Sequence, residues 1–217
     1  GYYKPYSNVI TNNPNNDPAI ENDEFIEGEG RVWGVELLLK KTSGNLTGWI
    51  GYSYSDIEKR FDFNGDGQIR KSENEMSEIF APIYSKPHSL NLMANYKLNK
   101  KNQLSLSFTL SSGQPYTPVI GKVYDGGGEL NDPFGEHSNV YGQKYSSRYP
   151  VYYRADIGWI RDIRFMGMNG KFKTQVMNIT NRFNVLTYIW DHDESPSKVR
   201  AMSMIPFFAT IGVEFEL

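Results

Sequence analysis

Along most of this chain apolar and polar side chains alternate one by one. Only an extended strand turns that period of two into a single apolar face, so the alternation commits the chain to β-structure. In QLSLSFTLS (103–111) Leu104, Leu106, Phe108 and Leu110 share one side, and Gln103, Ser105, Ser107, Thr109 and Ser111 share the other. HSLNLMANYKL (88–98) sets Leu90, Leu92, Ala94, Tyr96 and Leu98 against Ser89, Asn91, Met93, Asn95 and Lys97. The same rhythm puts Trp33, Val35, Leu37 and Leu39 opposite Glu36 and Lys40, and Leu46, Ile50, Tyr52 and Tyr54 opposite Thr47, Trp49, Ser53 and Ser55. Tyr153, Ala155, Ile157 and Trp159 stand against Arg154, Asp156 and Arg161. The tail sets Ala209, Ile211, Val213, Phe215 and Leu217 against Thr210, Gly212, Glu214 and Glu216. In KFKTQVMNITNRFNV (171–185) the phase slips near Asn178, which predicts a bulge there.

The connections alternate as well. Strands near 28–42 and 45–60 join through Ser43-Gly44-Asn45, those near 87–99 and 102–117 through Asn99-Lys100-Lys101-Asn102, and those near 150–165 and 171–186 through Met166-Gly167-Met168-Asn169-Gly170. Between these hairpins lie long polar segments at 11–27, 61–86, 118–149 and 187–199. Short turns at one end of a sheet and long loops at the other are how outer-membrane barrels are built. A soluble β-sandwich also has alternating strands, each burying one face against a second sheet. Against it stand Glu, Lys, Arg, Asn and Gln deep in strands, and apolar faces that end in Tyr, Trp and Phe as an interfacial girdle does. Fifteen Tyr and 12 Phe in a chain of 217 residues fit that display of aromatic side chains. The fold class expected is therefore all-β, a transmembrane antiparallel β-barrel. A formal net charge of -2 gives no reason to expect nucleic acid as a partner. No apolar run reaches the 18 residues of a transmembrane helix, and no secretory leader precedes the first strand. The opening GYYKPYSNVI reads as the middle of a strand, so the expectation is a piece of a longer polypeptide.

The stretch DFNGDGQIRKSE (62–73) has the ligand spacing of a twelve-residue calcium loop. Asp62, Asn64 and Asp66 supply side-chain oxygens at positions one, three and five, the Gln68 carbonyl at seven, and Glu73 closes the site at twelve. Gly67 allows the sharp turn at six, and Ile69 is the apolar anchor at eight. Arg70 departs from the pattern at nine, where a small polar residue usually holds a water. Asn-Gly and Asp-Gly also form plain hairpin tips, but a tip does not account for Asp62, Ile69 and Glu73 at their offsets. The following KSENEMSEIF places Met76, Ile79 and Phe80 at helical spacing, so the insert at 61–83 is expected to be a calcium loop followed by one short helix, with calcium in a structural role.

Other clusters carry less. His88, His137 and His192 lack paired ligands at metal spacing. Asp191-His192-Asp193-Glu194 is an acidic tip, read first as a solvated loop. Tyr124-Asp125-Gly126-Gly127-Gly128-Glu129 follows no buried strand and opens no helix, so it is no phosphate loop. No nucleophile motif is present, and no enzymatic activity is expected. Tyr116, Tyr124, Tyr141 and Tyr145 in the 118–149 region could stack on a ligand or stand in solvent. Glu36, Arg154, Asp156, Arg161, Glu214 and Glu216 are expected to form ion-pair networks on the inner face.

GEGRVWGVELLLKKTSGNLTGWIGYSYS (28–55), KPHSLNLMANYKLNKKNQLSLSFTLSSGQPYT (86–117) and VMNITNRFN (176–184) resemble the C-terminal barrel strands of TonB-dependent receptors, especially those of Bacteroidetes-type bacteria. The resemblance runs through the whole chain apart from the loops. It implies about eight C-terminal strands of a 22-stranded outer-membrane barrel, with long loops, including 61–83, outside the cell. It implies active uptake of a scarce or large nutrient. Its implied partners are outer-membrane lipid, a plug domain of the same polypeptide, the TonB protein reached through a plug-borne box, and a surface lipoprotein. The plug and its box are absent from this sequence, so none of the family's energy-coupling residues maps onto a position here. The family often ends in an aromatic residue, whereas Leu217 is last here and Phe215 stands two before it. The alternative from the residues alone is a self-contained eight-stranded outer-membrane anchor or adhesin with a calcium-ordered loop.

Overall fold

The structure, a computed structural model, describes the chain except residues 14, 16, 18, 21–23, 64, 66, 70–77, 127–135, 193–196 and 216–217. It is all-β and antiparallel, with no helix among the described residues. Fifteen strands follow in order: β1 (Tyr2–Asn12), β2 (Phe25–Lys41), β3 (Leu46–Phe61), β4 (Ile79–Phe80), β5 (His88–Asn99), β6 (Asn102–Ser111), β7 (Pro115–Tyr116), β8 (Val119–Asp125), β9 (Glu136–Tyr141), β10 (Ser147–Arg148), β11 (Tyr152–Phe165), β12 (Met168–Met177), β13 (Val185–Asp191), β14 (Lys198–Ser203) and β15 (Phe208–Phe215).

Eight of them form one meander, β1-β2-β3-β5-β6-β11-β12-β15, with β4 added beside β3. Every neighbour in it is the next long strand along the chain, so all turns between them alternate between the two ends of the sheet. The three tight turns lie at one end. At the other end the β6–β11 connection carries the hairpin β8-β9 and the short pair β7-β10, and the β12–β15 connection carries the hairpin β13-β14. The sheet is open: β1 and β15 are its edges, and they do not pair with each other among the described residues. Gly44 at φ +87° and Gly167 at φ +85° occupy two of the tight turns, where a left-handed backbone is needed.

The register aligns the alternating patterns of separate strands. Residues directly opposite in an antiparallel pair project to the same face. One row across the sheet reads Leu39, Ile50, Leu92, Phe108, Ala155. The next reads Ala94, Leu106, Ile157, Val176, Ala209, and the one after it Tyr96, Leu104, Trp159, Thr174, Ile211. The opposite face carries Glu36, Ser53, Ser89 and Ser111 in one row and Thr47, Asn95, Ser105, Gly158 and Gln175 in another. Thr109 donates to Asn91 Oδ1 across it, and the Gln103 amide to Asn95 Oδ1. Leu38, Trp49, Met93 and Ile160 interrupt this polar face. One assignment from the sequence is corrected. Arg161 lies opposite Phe172 and belongs to the apolar face, near the tight-turn end, because its odd number shares the phase of Trp159.

Among the described residues no second layer covers the apolar face. Leu37 and Leu39 are 63% and 72% exposed, and Ile211 is 76% exposed. The large apolar side chains buried among the described residues are Phe61, Phe63 and Phe80, and they lie at the long-loop end, not under the sheet. Aromatic rings flank the apolar rows. Trp33 and Tyr54 meet at 5.2 Å near the long-loop end, while Trp159 meets Phe172 at 5.8 Å and Phe165 meets Phe215 at 6.0 Å near the tight turns.

Three local expectations are revised. The helical spacing after the calcium motif does not extend to its end: Ile79 and Phe80 are strand, paired with Arg60 and Lys59, and residues 71–77 lie outside the described set. The strand beginning at Asn102 stops at Ser111; Ser112 N still donates to His88 O, and Gly113, where a Cβ would sit 1.6 Å from the Tyr149 carbonyl, leaves the ladder. Asn178 is no bulge but the residue that ends β12, at φ +50°. Register shifts in the meander fall instead between Tyr6 and Val9 of β1, with Asn8 at φ +59°, and between Lys97 and Asn99 at the end of β5.

Candidate functional site

β3 runs past the edge of the apolar band and delivers the candidate calcium loop to the long-loop end. Phe61, the last residue of β3, stacks on Phe63 at 5.6 Å and on Phe80 at 5.7 Å. The backbone closes the same unit, since Phe61 N donates to Glu78 O. Glu78 is 2% exposed, and its carboxylate accepts the Phe63 N–H at 3.2 Å. The Phe63 carbonyl accepts from the Asn15 amide at 2.9 Å, tying in the β1–β2 connection. Position two of the motif is thus fixed from three directions, although no sequence pattern singles out Phe63 or Glu78.

Beyond Phe63 the motif curls as a cation loop would. Gly65 and Gly67 adopt φ +67° and +78°, which side chains other than Gly rarely accept. Gly67 N donates to Asp62 Oδ2 at 2.7 Å, folding position six back over position one. Asp62 and Gln68 are described; Asn64, Asp66 and Glu73 lie outside the described residues, so their oxygens are not placed. Among the described residues no group of three or more His, Cys, Asp or Glu is arranged to hold a metal ion. The donor set of the motif is all oxygen, two Asp, one Asn, one Glu and a carbonyl, and the turn at Gly67 suits it, so the residues fit a hard cation such as calcium.

A second loop closes over the phenylalanines. Tyr145 meets Phe80 at 5.6 Å, and Lys144 Nζ lies 5.0 Å from the Phe80 ring centroid while donating to Thr11 Oγ1. Burial, and secondarily the nearby Lys59 charge, hold the Lys144 ammonium below its ordinary pKa. Arg148 donates from Nη1 to the carbonyls of both Ser85 and Gly113. The β3–β4 segment, the β1–β2 connection and the β6–β11 connection therefore share one small core.

The other sequence candidates separate. His88 meets Tyr52 through Nδ1 and lies tilted against the Tyr54 ring at 5.1 Å on the sheet. His192 bonds Ser197 and Asn139, its carbonyl accepts from Lys122, and its ring lies 6.4 Å from His137, so the hairpins β8-β9 and β13-β14 lean together there. Asp193 and Glu194 lie outside the described residues, as do Gly127, Gly128 and Glu129. Tyr116 stacks on Tyr149 at 4.5 Å and meets Tyr188 at 5.5 Å, whereas Tyr124 stands against His137 and Tyr141 is exposed. The expected inner-face ion pairs are found for Arg154 with Asp156 at 2.9 Å and for Glu214 with Lys173; Glu216 lies outside the described residues. Asp156 also accepts the backbone N–H of Asn178. Asn178 is fully buried, its amide donates to the carbonyls of Arg182 and Ile205, and its Oδ1 accepts from Thr180 and Arg182. The phase slip in the sequence was the one sign of this junction. No protein-family model, no curated protein and no solved structure matches this chain.

Proposed function

We propose that this chain is the C-terminal part of an outer-membrane β-barrel of the TonB-dependent receptor kind, serving active uptake of a nutrient too large or too scarce for simple pores. The observation that carries the reading is the uncovered apolar face. A soluble sheet with eight long strands would bury such a face against a second layer, and water makes its exposure costly at roughly 25 cal/mol per Å² of apolar surface. Hydrocarbon removes that cost. The 10 residues of β6 span about 34 Å at ~3.4 Å each, and a tilt of ~45° brings this to about 24 Å, close to the ~25 Å apolar band of outer-membrane barrels. Aromatic rings at both margins and a hydrated Ser/Thr/Asn face on the other side support the same orientation.

In this reading the tight turns face the periplasm and the loop core around Phe61 stands outside the cell. Calcium bound by Asp62, Asn64, Asp66, the Gln68 carbonyl and Glu73 gathers three carboxylates that would otherwise repel one another, and so orders a loop that has little core of its own. External calcium in the range of about 10⁻⁴–10⁻³ M suffices for loops of this class. The open edges of β1 and β15 are completed by further strands, because unpaired backbone in lipid is costly.

The absence of Cys makes the test clean. Single cysteines at Leu106 and Ser107 are labelled in isolated membranes with a lipid-soluble and a water-soluble maleimide. Leu106→Cys is expected to react with the lipid-soluble reagent alone and Ser107→Cys with the water-soluble one. Water-soluble labelling at both positions would remove the membrane assignment. For uptake, a deletion strain and a TonB-deficient strain should share a growth defect on one source from a panel of iron, peptide and glycan nutrients.

A further inference from the structure

The polar face ends, beside the tight turns, in a groove of about 510 Å³ lined by Lys97, Lys100, Lys101, Lys171 and Lys173 together with Asp162. Lys97, Lys171 and Lys173 project from β5 and β12 on the polar face, in register with Gln103, Asp162 and Ile160 of the strands between them. Lys100 and Lys101 form the β5–β6 turn. Lys173 has Glu214 as its ion-pair partner. Among the described residues no carboxylate lies within 4.0 Å of the ammonium of Lys97, Lys100, Lys101 or Lys171. The chain as a whole carries a formal net charge of -2, so this end concentrates one sign against the average. Five lysines against Asp162 and Glu214, the two neighbours of Lys171 in the ladder, leave this groove with a surplus of positive charge that an anionic partner offsets.

We propose that this groove docks an acidic segment of polypeptide inside the tight-turn mouth of the sheet. The lysines cross four neighbouring strands, β5, β6, β11 and β12, which at ~4.8 Å per step is about 14 Å, the reach of four or five extended residues. A lipid phosphate fits less well, because these side chains stand on the face opposite the apolar rows. The inference rests on the proposed reading in one respect, that the polar face is the interior.

The test uses the full chain in detergent and a fluorescent five-glutamate peptide, with a five-glutamine peptide as control. The glutamate peptide is expected to bind with strong salt dependence and the glutamine peptide not to bind. Lys97→Gln, Lys171→Gln and Lys173→Gln combined should weaken binding at least tenfold. Lys100→Gln with Lys101→Gln, on the turn and outside the strand ladders, should weaken it severalfold without touching the fold. Lys86→Gln with Lys198→Gln, at the loop end, should change nothing. Equal binding of both peptides, or full binding by the two groove variants, would overturn the assignment. Cysteine labelling decides the membrane reading separately, so either can fail while the other stands.

Discussion

Arginine placed along one face of β6 measures what that face touches. Leu104, Leu106, Phe108 and Leu110 share it, and Leu106 lies mid-strand between Ala94 and Ile157. In hydrocarbon an arginine at the midplane costs about 2–4 kcal/mol, falling to about 0–1 near the interfaces. Leu106→Arg should therefore lower the folding constant by roughly 30- to 700-fold, since ~1.4 kcal/mol is a factor of ten. Leu104→Arg and Leu110→Arg, one and two alternations from the centre, should cost far less. Ser107→Arg enters the polar face between Met93 and Asp156 and has a carboxylate beside it, so its cost should stay under about 1 kcal/mol. The assay is urea unfolding of the barrel-forming polypeptide in liposomes, read by heat-modifiability. Repeating it in thinner bilayers should lower the cost at the two ends first. A cost that is flat along the face and indifferent to bilayer thickness would refute the lipid assignment, because a protein-packed core has no membrane depth.

The remaining predictions concern the loops. Chelation with EGTA should raise protease cleavage within 61–80 and leave heat-modifiability intact; Asp62→Ala or Glu73→Gln should mimic it, and unchanged cleavage at millimolar calcium would reduce the motif to a turn. Glu78→Ala should loosen the same loop even with calcium present, since it strips the buried acceptor from Phe63 N–H at a cost of about 1–3 kcal/mol; hydrogen exchange at Phe63 reports it. Lys144 has a folded pKa below 10.5, so the opened loop binds more protons and closure strengthens as pH rises from the depressed value towards 10.5; Lys144→Met should abolish that trend in exchange rates of residues 144–146. Asn178→Ala should destabilise by several kcal/mol, because it strands the carbonyls of Arg182 and Ile205 and retains a Cβ at φ +50°, with urea midpoints as the readout.

The long strands were legible because a period of two survives in most of them and the tight turns carry Gly or Asn. Eight strands, their order and their apolar face follow from that pattern. What the pattern could not deliver was set by contacts distant in sequence. Phe61 and Phe63 read as loop positions and Phe80 as a helix position until β4 pairs back on β3. Glu78 looked interchangeable with its acidic neighbours, and only burial beside Phe63 N–H distinguishes it. Arg161 was misplaced by one phase, the single-residue slip to which alternating readings are prone. For the metal site, spacing alone indicates the ligands, and Asp62 with Gly67 is the part of that geometry the structure describes.

The meander has a consequence for how freely its outer segments can vary. Each long strand pairs with the next along the chain, so every connection closes a loop between two ends the ladder already holds together. Closure entropy grows only with the logarithm of loop length, about 0.6 kcal/mol for each doubling. The segment 112–151 between β6 and β11, three to four doublings longer than the tight turns opposite, therefore costs only about 2–2.5 kcal/mol more to close, and includes a hairpin of its own. Sequence drift and insertion are cheap at that end of the sheet, while the eight strands below stay unchanged.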